Sequence, residues 1–129
     1  MATLTKEIRI ARPAGDVWAV VGDLERISSW VPVFSGAAVE GDTRTCTMRD
    51  GATITERILS RDNVARRYEY EVVDSPFGFT SYRASLEVLP EGEDGRVVWT
   101  ADLEPETMVA ELAPLFEESL AGLKQQLEA

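Results

Sequence analysis

One change of rhythm constrains this chain more than any other feature. Between Ser35 and Leu103, short runs alternate apolar and polar residues; from Leu112 to Leu127 the period lengthens from two to nearly four. Turn signals cut the first stretch at Gly41-Asp42, Arg49-Asp50-Gly51, Arg61-Asp62-Asn63, Asp74 to Gly78 and Pro90 to Gly95. Six strands result: Ser35 to Glu40, Arg44 to Met48, Ala52 to Leu59, Arg66 to Val73, Phe79 to Leu89 and Arg96 to Leu103. Loops this short imply antiparallel pairing.

Leu112, Phe116, Leu120, Leu123 and Leu127 then recur at spacings of four, four, three and four. That is one face of a long amphipathic helix over about Glu106 to Glu128. Pro105 suits its first turn, and Pro114 inside it predicts a kink or a late start.

Ahead of Ser35, Leu4, Ile8 and Ile10 alternate with Thr5, Glu7 and Arg9, a half-buried strand that Pro13 stops. A short helix follows with Val17, Trp18, Val20 and Val21 on its buried side. A second fits Leu24 to Trp30, with Asp23 as N-cap and Pro32 beyond its end. The order β-α-α, six strands, α predicts an α+β domain over residues 1–129: one antiparallel sheet covered by the last helix.

Several strands are apolar on one side only. Tyr82, Ala84, Leu86 and Val88 share a face, as do Tyr68, Tyr70 and Val72, and Val97, Trp99, Ala101 and Leu103. The sheet therefore has one wet and one covered face. Ile54, Glu56 and Ile58 also share a face, which turns a carboxylate inward. A three-residue Arg49-Asp50-Gly51 loop with a glycine bulge sets Cys46 opposite Ile54 and Arg44 opposite Glu56; a two-residue loop sets Thr47 opposite Ile54. The first is preferred, because it gathers Met48, Cys46, Ile54 and Ile58 on one face and gives Glu56 a partner. A slip of one residue would turn Arg57 inward instead.

The 129 residues carry 23 acidic and 13 basic side chains, a net charge of −10 that disfavours nucleic-acid and anionic-membrane partners. Histidine is absent, which removes Ser-His-Asp and Cys-His catalysis and every His-ligated metal site. No metal or other cofactor is expected. Cys46 is the only cysteine, so no intrachain disulfide forms. With no apolar leader after Met1 and no run long enough to span a bilayer, the expectation is a cytoplasmic protein, a monomer or weak homodimer without membrane insertion.

The chain resembles the helix-grip superfamily, which includes birch-pollen-type allergens, lipid-transfer START domains, plant abscisic acid receptors and bacterial polyketide cyclase/dehydrase-like proteins. The last branch looks closer overall than the receptors. The carriers are Pro13-x-x-x-Val17-Trp18, Trp30-x-Pro32, Arg44, Asp50-Gly51-x-x-x-Thr55-Glu56-Arg57-Ile58, Asp62, Tyr82, Trp99-Thr100 and Leu123-Lys124, spread along the whole chain. The resemblance implies a curved seven-stranded sheet wrapped on the C-terminal helix, with two short helices between strands 1 and 2. It also implies a cavity between sheet and helix for a small apolar molecule: polyketide-, lipid- or hormone-like.

By similarity with the hormone receptors, Met48, Ile54, Glu56, Tyr70 and Tyr82 fall where pocket-lining residues lie. Arg49 to Ala52 and Ser75 to Phe79 fall at two entrance loops. The receptors' gate and latch motifs are missing, so hormone sensing with a phosphatase is not implied. Trp30, Phe34, Tyr68, Phe79, Leu112 and Phe116 complete the candidate ligand contacts.

Arg44 and Glu56 read two ways: as the polar centre of the pocket, or as an ion pair holding two strands in register. In an enzyme of the cyclase, aromatase or dehydratase type they would be the catalytic residues, Glu56 as acid or base and Arg44 stabilising an enolate oxygen. A domain with a filled core that docks on another chain through its acidic face is the third reading. Cys46 reads as a small buried hydrophobe.

Overall fold

The computed structural model describes residues 1–129. Strand β1 (Ala2–Ile10) leads into helix α1 (Ala14–Val21) and a 3₁₀ helix, Leu24–Ser29. Six strands follow: β2 (Phe34–Glu40), β3 (Thr43–Met48), β4 (Thr53–Asp62), β5 (Arg67–Asp74), β6 (Ser81–Glu91) and β7 (Asp94–Glu104). Helix α2 (Met108–Glu128) closes the chain. All seven strands form one antiparallel sheet in the order β1-β7-β6-β5-β4-β3-β2. The first two strands thus lie on opposite edges, and the two short helices cross between them.

The β3–β4 register turns on the predicted loop. Gly51 adopts φ +91°, and Met48 closes the turn onto Ala52 (N···O 2.7 Å). Arg44 then pairs with Glu56, and Cys46 with Ile54. Arg57 points out, and the alternative register is not adopted.

Other boundaries differ from expectation for local reasons. The β6–β7 turn is only Gly92-Glu93, because Gly92 takes φ +62° and Pro90 and Glu91 pair with Gly95 and Asp94. Asp23 precedes the 3₁₀ helix but makes no capping hydrogen bond through its side chain. Helix α2 starts at Met108, two residues late, since the amides of Met108 and Val109 reach back only three residues, to Pro105 and Glu106.

The two halves of α2 have different surroundings. In the C-terminal half, Ser119, Leu120 and Leu123 are at most 1% exposed. That end is also tied to the end of β1: Lys124 Nζ donates to the Arg9 carbonyl (2.8 Å), the Ala11 amide to Glu128 Oε2 (2.7 Å), and Arg12 Nε to the Leu127 carbonyl (2.8 Å). Lys6, a charge on the covered side of β1, reaches Glu117 on α2 at 2.6 Å. The N-terminal half, from Met108 to Leu115, is only partly buried, and Pro114 supplies no N–H to the carbonyl of Ala110. No helix is long and apolar enough to cross a membrane.

Candidate functional site

The inward residues of β3 to β7 form a polar layer beneath an apolar one. Arg44 on β3 is fully buried. Its Nε donates to Glu56 Oε1 at 2.6 Å; its Nη1 donates to the Leu24 carbonyl at 3.1 Å and to the Tyr68 hydroxyl at 3.2 Å. The guanidinium carbon lies 5.4 and 5.1 Å from the ring centres of Tyr68 and Tyr70, within cation–π range. Nη2 is sealed and has no partner. The Cys46 thiol is 3.7 Å from Glu56 Oε1. Glu56 Oε2 takes no hydrogen bond from the protein and is not among the sealed, unpartnered atoms.

A second set of contacts lies alongside. Trp99 Nε1 donates to the Tyr70 hydroxyl (3.1 Å), which is 3.4 Å from that of Tyr82. The Trp99 indole stacks on Phe116 of α2, with centroids 3.8 Å apart and planes within 4°.

These rings border a cavity of about 400 Å³ between the concave sheet and the first turns of α2. Of its eighteen lining residues, sixteen are hydrophobic, and the other two are Glu56 and Glu111. Sites for small organic molecules typically measure ~300–1,000 Å³, are mostly apolar and carry a few placed polar groups.

Burial pushes the Tyr70 and Tyr82 phenols up, so both stay protonated at neutral pH. Burial also raises Tyr68, although Arg44 beside it pulls the other way. For Arg44 itself burial works against the charge, but Tyr68 and Glu56 outweigh it and hold the group above the ordinary guanidinium value. Cys46 is pushed up to about 12 by burial and by the Glu56 carboxylate.

Nine of the expected contacts stand together on the cavity wall: Phe34, Met48 and Ile54; Glu56, Tyr70 and Phe79; Tyr82, Leu112 and Phe116. Three do not line it. Arg44 and Tyr68 form the layer behind Glu56, toward the 3₁₀ helix whose Leu24 carbonyl Arg44 engages. Trp30 is buried edge-on against Trp99, with centroids 5.5 Å apart, and lies off the wall.

The wall also holds residues the sequence reading passed over as site residues. Trp99, on the covered face of β7, also lines the cavity. Met108, Glu111 and Leu115 join Leu112 and Phe116 at i, i+3, i+4, i+7 and i+8, Met108 lying one turn ahead of the leucine stripe and Glu111 and Leu115 beside it. Ile27, Val31 and Val33, before β2, carried no periodic signal.

A sequence profile described as polyketide cyclase/dehydrase and lipid transport matches residues 1–128, and the chain belongs to that family. The fold recurs in solved structures. A Thermobifida fusca protein is 34% identical, covering 98% of this chain and 93% of its own, at a TM-score of 0.81. The Bacillus cereus protein XoxI is 24% identical over 99% of this chain and 96% of its own, at 0.94. The ZhuI aromatase/cyclase of Streptomyces sp. R1128 is 16% identical over 98% and 93%, at 0.85. No curated protein matches.

Proposed function

We propose that this protein binds a small, largely apolar molecule in the cavity between the sheet and the N-terminal half of α2. The single observation that carries the reading is the cavity itself: about 400 Å³, apolar on sixteen of eighteen lining residues, with one buried carboxylate on its wall. A filled core would leave no such space. Family membership, and a fold shared with an aromatase/cyclase and with a START superfamily protein, support the same use of it.

Binding is favoured over catalysis by where the charged groups stand. Arg44 is one layer behind the wall, so it does not touch a ligand's oxygen. The cavity phenols are held neutral by burial, which makes them donors rather than proton sources. Acid–base chemistry on a cyclase-type substrate would rest on Glu56 alone. The protein is read as cytoplasmic, monomeric or weakly dimeric, and without a cofactor.

Native mass spectrometry of freshly purified protein tests the reading directly, with a co-purified small molecule expected. Nile red, a neutral dye, should gain fluorescence on the wild type. Leu112→Trp, which fills the cavity from a partly exposed position on α2, should abolish that gain while leaving the circular dichroism unchanged. Equal dye binding by both proteins would show that the dye sits elsewhere.

A further inference from the structure

The ionisable groups on the cavity wall are of one sign. Glu56 lies inside and Glu111 at the exposed rim, and no lysine or arginine joins them. The surrounding protein carries a net charge of −10. An anionic ligand head would therefore enter an apolar space against two carboxylates, with the one nearby cation, Arg44, behind the wall and engaged with Glu56, losing its hydration without replacement. The phenols of Tyr70 and Tyr82 are donors but bring no compensating charge.

Glu56 is also half used. Arg44 and Cys46 both approach Oε1, while Oε2 has no protein partner. Arg44 at 2.6 Å balances the carboxylate's charge from behind, so the pair offers the cavity an acceptor without a strong demand for a cation. A neutral O–H meets that acceptor at the lowest desolvation cost.

We propose that Glu56 is the specificity determinant of this cavity: its Oε2 accepts a hydrogen bond from a neutral hydroxyl on an otherwise apolar ligand, and the site rejects carboxylates, fatty acids among them. The inference rests on the binding reading above and narrows it to one ligand chemistry.

Three probes of one shape test it by calorimetry at pH 7: 2-naphthol, neutral 2-methylnaphthalene and anionic 2-naphthoate. The expected order is naphthol about tenfold tighter than methylnaphthalene, with naphthoate weakest. Glu56→Gln should shrink the naphthol advantage; the wild-type order alone decides the matter if that variant does not fold. Naphthoate equal to or tighter than naphthol, or naphthol equal to methylnaphthalene, overturns the inference and leaves the cavity reading standing. Binding of none of the three overturns both.

Discussion

Arg44 and Glu56 face each other directly across β3 and β4, joined at 2.6 Å, with the arginine side chain fully buried and that of the glutamate 5% exposed. Removing one partner from such a pair strands the other's charge, which typically costs ~3–5 kcal/mol, whereas replacing both with apolar side chains is often tolerated. Arg44→Met and Glu56→Leu should each lower stability by about that amount in urea titrations. The double variant should lose less than either single one. Additive losses would mean that the two charges are not coupled.

Two glycines on or beside α1 should respond in opposite directions. A Cβ on Gly22 would run into the indole ring of Trp18, which is held to Asn63 at 3.0 Å. Gly22→Ala should cost ~1–3 kcal/mol and shift the Trp18 indole N–H resonance. Gly15, inside α1, has nothing within 4 Å of its would-be Cβ, so Gly15→Ala should stabilise by ~0.5–1 kcal/mol. Thermal melts of the two variants check both signs.

Cys46 should be chemically silent in the native protein. It is buried, and its thiol is pushed up to about 12. Iodoacetamide at pH 8 should label it at least about a hundredfold more slowly than in urea-unfolded protein. Comparable rates would place the thiol in contact with solvent.

Acid should weaken the fold through three surface carboxylates. Hydrogen bonds from Arg83 and Arg67 hold Glu69 below its ordinary 4.5, one from Arg96 holds Glu91 down, and ones from Lys124 and the Ala11 amide hold Glu128 down. A carboxyl depressed in the folded state stabilises above its unfolded pKa and loses that contribution as the pH falls through the folded one. Tm should therefore fall below about pH 4.5, less steeply in high salt. For Glu69→Gln the deficit in Tm at pH 7 should narrow toward pH 3; a constant deficit would remove the ion pairs as its cause.

The Arg44–Glu56 register was legible because two independent signals agreed. Asp50-Gly51 specified the loop, and the apolar set Met48, Cys46, Ile54 and Ile58 specified the face. Depth was not legible. Alternation places Tyr68 and Tyr70 on the same side of β5, and both rings lie over the Arg44 guanidinium, yet only Tyr70 also reaches the cavity wall. Trp30 and Trp99 show the same limit: both are buried aromatics, and their separation into core and wall depends on where α2 crosses the sheet.

Pro114 divides α2 between a firmly docked end and an end that roofs the cavity. The first two turns, carrying Met108, Glu111, Leu112 and Leu115, line the cavity and hold no fully buried residue. Substitutions confined to these eight residues, Met108 to Leu115, would therefore reshape the space beneath them while the sheet, its buried ion pair and the clamp at the other end stay intact.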